Sequence, residues 1–150
     1  MINRDNSIKD KLVGRFAYLG DKVNIPRPRR IFADIPAADF RKVFEYVIGE
    51  LGFRTLASLT GLDEGENLSF LYHMASLDGI VLTLKLSVAK KDPVIDTVTD
   101  LFRGADIYER ELMDLLGAKV RGLAEGKRYP LPDNWPKDDY PLRKDWKKNA

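Results

Sequence analysis

The feature that most constrains the fold is a run from Ile80 to Val88 in which apolar and polar side chains alternate. Such alternation is typical of a strand with one buried face. A second alternating run covers residues 68–75, and the pair Asp78-Gly79 between the two runs is a hairpin turn signal. The centre of the chain is therefore predicted to be a β-sheet. Shorter strands are expected at residues 31–33 and 56–62.

Three segments around the predicted sheet have helical periodicity. Residues 7–19 place apolar side chains at helical spacing, with Ser7 as a candidate N-cap. Residues 36–51 carry one apolar stripe, which predicts a helix, and Gly52 is expected to end that helix. A third helix is expected from about residue 99 to residue 116, interrupted at Gly104 and ended by Gly117. These segments predict an α+β fold in which a two-layer mixed sheet packs against helices.

The last thirty residues differ in character from the rest of the chain. They contain four of the eight prolines and both tryptophans. Prolines at this density exclude a regular helix or a central strand, whereas disordered linkers contain few aromatic residues. We therefore predict a globular domain over residues 1–120 and an extended docking segment over residues 121–150, the C-terminal arm.

Composition excludes several kinds of chemistry. The 150 residues include no cysteine and one histidine, so this chain cannot build a disulfide, a thiolate metal site, an iron–sulfur cluster of its own or a two-histidine site. We expect no catalytic residue, no bound cofactor and no metal. The net charge of +2 argues against an electrostatic field strong enough to attract nucleic acid or a membrane surface to the chain as a whole. No apolar stretch approaches the ~20 residues of a membrane helix, and no signal peptide is visible, so the expected location is the cytoplasm or the cytoplasmic face of a membrane.

The densest charged motif is Glu109-Arg110-Glu111, followed by Asp114. On a helix, Glu109 and Glu111 lie about 200° apart around the axis, which argues against paired acid–base catalysis. Asp106, Arg110 and Asp114 recur at i, i+4 spacing and are expected on the outer face, where ion pairs form readily. The favoured interpretation is structural or interface charge.

Two weaker signals leave alternatives open. His73 is expected to be a surface or core-edge histidine with an ordinary hydrogen bond, and a proton carrier is the alternative. Trp146 lies between the basic pairs Arg143-Lys144 and Lys147-Lys148, a combination of aromatic and basic residues that also suits single-stranded nucleic acid. Five acidic residues are interleaved with the eight basic ones from Arg121 onward, which favours protein docking instead.

Two blocks of the sequence resemble a known family. The first runs Glu-Arg-Glu-x-x-Asp-Leu-Leu-Gly, and the second, about thirty residues later, runs Tyr-Pro-Leu-Arg-Lys-Asp-Trp. Together they are similar to the hydrophilic 30 kDa subunit of respiratory complex I, a family that includes the matching subunit of membrane-bound, energy-converting nickel–iron hydrogenases. The stretch 122–136, with Leu123 where respiratory members usually have histidine, resembles the hydrogenase branch. The family-motif residues are Glu109, Arg110, Glu111, Asp114 and Gly117.

The resemblance implies an oxidoreductase subunit without a catalytic centre of its own. It would be a structural or assembly subunit in the peripheral electron-transfer arm, on the cytoplasmic face, touching the membrane only indirectly. A separate catalytic large subunit and iron–sulfur subunits would carry the nickel–iron and iron–sulfur centres. A complex-I-type quinone oxidoreductase is the alternative, and no nucleic-acid partner is expected. The implied partner-docking residues are Tyr129, Trp135, Tyr140, Pro141, Leu142, Arg143, Lys144, Asp145 and Trp146, with the aromatic ones as anchors.

Overall fold

A computed structural model describes residues 3–148. It contains three α-helices and seven β-strands within those residues, together with single turns of 3-10 helix at Ala17–Leu19 and Ala37–Asp39. In chain order the elements are α1 (Arg4–Arg15), β1 (Val23–Arg27), β2 (Arg30–Ile35), α2 (Phe40–Gly49), β3 (Thr55–Asp63), β4 (Asn67–Ala75), β5 (Val81–Ala89), β6 (Val94–Asp96), α3 (Ala105–Leu116) and β7 (Lys119–Arg121).

Five strands form one sheet in the order β1-β2-β5-β4-β3. The sheet is mixed, because β1 and β2 are antiparallel whereas β2 and β5 are parallel. The turn between β4 and β5 is closed by a hydrogen bond from Gly79 N–H to the Ser76 carbonyl oxygen, and Gly79 has the positive φ of 82° that a left-handed turn position requires. The predicted hairpin and the α+β class are confirmed.

The chain divides into two compact units. Over the described residues, unit 1 comprises residues 3–58 and 71–87, and unit 2 comprises residues 59–70 and 88–148. Strands β3, β4 and β5 each contribute residues to both units. The predicted division at residue 120 stays a prediction.

Unit 1 has an apolar core in which α2 packs on the sheet. The predicted stripe of α2 is buried, and the Phe40 and Phe44 rings lie 4.7 and 5.6 Å from the ring of Tyr72 on β4. On β5, Leu82 and Leu84 are fully buried, as the alternation predicted. Burial of large side chains in this way supplies most of the stability of such a core.

Three local predictions in unit 1 differ from the structure. Helix α1 begins at Arg4 and not at residue 7, because the side chain of Asn3, not that of Ser7, caps it by accepting a 3.1 Å hydrogen bond from Asp5 N–H. The helix before Gly52 already ends at Gly49. The short strand expected at residues 31–33 runs from Arg30 to Ile35, and the basic segment 27–30 forms the tight turn of its hairpin with β1.

Unit 2 is built around α3. Two leucines of α3 pack so close to β3 that a Cβ atom at Gly61 would lie 2.6 Å from Leu112 and closer still to Leu116, so the approach requires glycine. Strands β6 and β7, three residues each, form a separate parallel pair that the sequence did not predict. Between β7 and Lys148 the described chain forms turns but neither helix nor strand, as the prolines predicted.

Candidate partner interface

The C-terminus of α3 is the point where the two family blocks meet. Gly117 ends the helix in the left-handed conformation at φ 77°, as predicted. A Cβ atom at this position would lie 2.6 Å from the ring of Tyr140 and 2.7 Å from the guanidinium of Arg143. Gly117 is therefore required twice, by the helix cap and by the approach of the second block.

Glu109 is fully buried and faces the segment that precedes α3. Its carboxylate accepts hydrogen bonds from Thr97 Oγ1 at 2.7 Å and from Val98 N–H at 2.8 Å. Burial raises the pKa of Glu109, and these two hydrogen bonds act in the opposite direction. The geometry gives Glu109 a structural role in holding residues 97–98 against α3.

Arg110 binds both along its helix and across to the C-terminal arm. Its guanidinium donates to both carboxylate oxygens of Asp106, at 3.0 and 2.9 Å, which confirms the expected i, i+4 pair. It also donates to the Ala124 carbonyl oxygen at 2.7 Å. A Cβ atom at Gly126 would lie 2.8 Å from the same guanidinium. Arg110 therefore fixes the first part of the arm, where the chain passes close to the helix.

Asp114 was expected on the outer face of α3 with Asp106 and Arg110, and this expectation is wrong. Asp114 is buried, because the arm folds over it: its carboxylate accepts hydrogen bonds from Arg128 Nε at 3.1 Å and from Leu131 N–H at 3.0 Å. A charged acceptor for two donors forms a strong contact in such a partly dry position. Asp114 therefore holds the middle of the arm.

Glu111, the remaining acidic residue of the motif, has a different environment. It is half-buried and lines a small cleft with Leu112, Leu115 and Leu142. Within residues 3–148 its carboxylate has no hydrogen-bond or ion-pair partner. The three acidic residues of the first block thus divide into two that bind inside unit 2 and one that does not.

The second family block packs against the end of α3. Arg143 Nε donates to the Leu116 carbonyl oxygen at 2.7 Å, and its guanidinium lies 4.6 Å from the centroid of the Tyr140 ring. The N–H of Leu142 donates to the Leu115 carbonyl oxygen at 3.0 Å. These contacts satisfy carbonyl groups that a helix end leaves without partners.

Asp63, at the end of β3, holds the last part of the arm. Its side chain is 1% exposed and accepts hydrogen bonds from Lys90 Nζ at 2.7 Å, Lys144 N–H at 2.8 Å and Gly65 N–H at 2.9 Å. Lys90 also pairs with Asp145 at 2.8 Å. Burial acts to raise the pKa of Asp63, but the hydrogen bonds outweigh it and lower the pKa to about 2.

The aromatic residues of the arm are in part satisfied within it. Trp135 donates its indole N–H to the Asp139 carbonyl oxygen at 2.9 Å, and Trp146 donates to the Asp139 carboxylate. Tyr129 and Leu142 are the apolar side chains of the predicted docking set that remain exposed, at 43% and 56%. Pro141 is half-buried, and Lys144 and Asp145 are exposed. The docking role of the nine residues stays a prediction.

Asp63, Lys90 and Arg128 are site residues that the sequence reasoning missed. Asp63 lies in the acidic stretch 61–65, where no motif or periodicity marks it. Its hydrogen bond to Lys144 joins positions 81 residues apart, and no spacing rule reaches that far. The resemblance to the family marked Lys144 and Asp145 but gave no sign of their partners.

His73 lies outside this region, on β4 in unit 1. Its Nδ1 atom is 2.9 Å from Thr83 Oγ1, which confirms the expected ordinary hydrogen bond, and burial lowers its pKa. Over residues 3–148, no three histidine, cysteine, aspartate or glutamate side chains come together as a metal site. Within the same range no helix combines the length and apolarity needed to cross a membrane.

Comparisons with known proteins agree on one family. The profile of the family "Respiratory-chain NADH dehydrogenase, 30 Kd subunit" matches residues 33–150. A subunit of the F(420)H(2) dehydrogenase of Methanosarcina mazei is 34% identical, over 93% of this chain and 90% of its own. The beta subunit of the membrane-bound hydrogenase of Pyrococcus furiosus is 27% identical, over 97% of this chain and 88% of its own.

A solved structure shows the same fold. A chain of the membrane-bound sulfane sulfur reductase, an archaeal respiratory membrane complex, superimposes with a TM-score of 0.83 at 22% identity, over 96% of this chain and 86% of that one. The profile match covers both motif blocks. Residues of these blocks form the contacts between α3 and the C-terminal arm. The chain belongs to the 30 Kd subunit family of the respiratory-chain NADH dehydrogenase.

Proposed function

We propose that the chain is a cofactor-free structural subunit of the peripheral electron-transfer arm of a membrane-bound, energy-converting oxidoreductase, in which it positions a separate catalytic large subunit. The observation that carries this proposal is that charged residues of the family motif form contacts inside unit 2. Glu109, Arg110 and Asp114 bind loop and arm segments of the same unit, so their charges are used to fix the backbone. Such an arrangement builds a rigid surface, and a preorganised surface binds a partner with less loss of entropy.

The hydrogenase branch is the first candidate. The similarity to the Pyrococcus hydrogenase subunit covers 97% of this chain. The stretch 122–136, which resembles the hydrogenase branch, supports the same candidate. In this proposal the nickel–iron and iron–sulfur centres are on partner subunits, and the chain lies peripherally on the cytoplasmic face of the membrane.

A dehydrogenase of the complex I type is the second candidate. The observation that favours it is the 34% identity to the F(420)H(2) dehydrogenase subunit of Methanosarcina mazei. Nucleic-acid binding through the arm is disfavoured, because two of its cations are already engaged: Arg128 pairs with Asp114, and Arg143 binds a helix carbonyl group.

The experiment is purification of a tagged chain, expressed at its native level, from detergent-solubilised membranes of the host, followed by mass spectrometry. Co-purification of a nickel–iron large subunit is the expected result. A large subunit of the quinone-site type, with an F(420)H(2)- or NADH-oxidising partner, would support the second candidate. Recovery of the chain alone from the soluble fraction would contradict both.

A further inference from the structure

The cleft beside Glu111 is about large enough to hold one amino-acid side chain. Its volume is about 170 Å³, whereas pockets for small molecules usually have about 300–1,000 Å³. Most of its lining is aliphatic, from Leu59 on β3, from leucines of α3 and from Leu142 of the arm. A single apolar side chain is therefore the kind of ligand that the cleft fits.

The position of the cleft wall is fixed by contacts already described. The N–H of Leu142 is bonded to Leu115, and Leu112 and Leu116 are in contact range of Gly61. Leu142 nevertheless leaves 56% of its surface exposed. An exposed apolar wall in a rigid frame is favourable for association, because it can be removed from water without prior rearrangement.

The charge of Glu111 specifies the occupant further. Glu111 is half-buried beside leucines and its carboxylate has no partner within residues 3–148, so a cation that approaches it from another chain gains a charge-assisted hydrogen bond. A second copy of this chain that docked cleft to cleft by two-fold symmetry would bring Glu111 against Glu111, and like charges oppose such a contact.

We propose that this cleft receives an aliphatic side chain of the large subunit, and that an arginine or lysine next to it in that subunit pairs with Glu111. The inference rests on the proposed function, because it names the contact through which the chain would position its partner. It predicts that Glu111 is accessible in the free chain and covered in the complex.

Accessibility can be measured directly, because the chain has no cysteine. The variant Glu111→Cys therefore contains one thiol, and its rate of labelling by a maleimide is compared in the free chain and in the purified complex. We expect labelling to slow at least tenfold on assembly. The matched control is Glu66→Cys, at an exposed position in the turn between β3 and β4, whose labelling rate should not change.

Affinity provides the second measurement. Glu111→Gln keeps the shape of the side chain and removes its charge. We expect the purified large subunit to bind this variant about tenfold more weakly at low salt, with a smaller difference at high salt. Glu66→Gln removes the same charge from an exposed site and should bind as the native chain does.

The outcomes separate the two proposals. Failure of the native chain to bind any large subunit would overturn the proposed function, and the inference with it. A complex that forms while labelling at position 111 stays fast, or while Glu111→Gln binds as tightly as the native chain, would overturn the inference and leave the proposed function standing.

Discussion

Unit 1 and unit 2 are each stabilised internally by a different kind of contact. Unit 1 has an aromatic and aliphatic core in which Phe44 and Tyr72 are completely buried. Unit 2 also buries leucines, but its last 27 described residues, 122–148, form no regular element, and they are held by Asp63, Asp114 and Arg110. The difference shows that a segment without its own secondary structure can still be fixed in place when charged side chains bind its backbone groups.

The largest expected effect comes from breaking the core of unit 1. Phe44→Ala removes a fully buried ring that contacts Phe40 and Tyr72. We expect the free energy of unfolding to fall by about 3–5 kcal/mol, because the substitution loses apolar burial and leaves a cavity. Urea denaturation followed by circular dichroism measures the change. Phe44→Leu, which retains much of the volume, should lose far less, and equal losses in both variants would contradict the argument.

The next effect tests the charged contacts of unit 2. Because the pKa of folded Asp63 is about 2 and its usual value is 3.8, the carboxylate stabilises the fold above about pH 4, and this contribution is lost as the pH falls towards 2. We expect Asp63→Asn to lower the free energy of unfolding by about 2 kcal/mol at pH 7. The two proteins should converge near pH 2.

Both tryptophans lie in unit 2, so urea denaturation followed by tryptophan fluorescence at several pH values measures this prediction. A difference between native chain and variant that stays the same from pH 7 to pH 2 would show that the carboxylate charge is not what stabilises the contact.

A smaller effect is expected at the middle of the C-terminal arm. Asp114→Asn retains an acceptor for Arg128 or for Leu131 but loses the charge, and we expect a loss of about 1 kcal/mol. Trypsin cleavage after Arg128 should accelerate, because the segment opens more often. The control is Asp133→Asn, an exposed position in the same segment, and it should be cleaved at the native rate.

The smallest effect is expected at an exposed ion pair in unit 1. Lys42, on the exposed face of α2, pairs with Asp39 at 3.7 Å with 75% of its side chain exposed. Lys42→Ala should change the free energy of unfolding by less than about 0.5 kcal/mol, because water screens an exposed pair. Urea denaturation followed by circular dichroism, as for Phe44→Ala, measures the change. A loss as large as that of Asp63→Asn would mean that burial is not what distinguishes the charged contacts of unit 2.

Sequence periodicity predicted the parts of the fold that depend on near neighbours. The stripe of α2, the alternation of β5 and the left-handed cap at Gly117 all follow from spacings of a few residues. The pair β6 and β7 escaped prediction, because three residues are too few to show a period. The burial of Asp114 escaped it too, because the segment that covers this residue has no periodicity.

The motif residues show the same limit for the candidate interface. The resemblance marked Arg143, Lys144 and Asp145, and their expected contacts were with a partner. In the structure they contact Leu116, Asp63 and Lys90 of the same unit. A motif identifies positions that are constrained, but only the structure shows which residues constrain them.

The hydrogen bond between Asp63 and Lys144 has a consequence for the order of events during synthesis. The two residues are separated by 81 positions, and chains grow at roughly 5–20 residues per second, so Asp63 is made roughly 4–16 s before Lys144. During that interval β3 and later α3 leave the ribosome without the segment that covers them. Contacts of such long range form late. The cleft beside Glu111, whose wall includes Leu142, is therefore complete only after residue 142 has been made, so any partner that binds there would bind only chains synthesised past that residue.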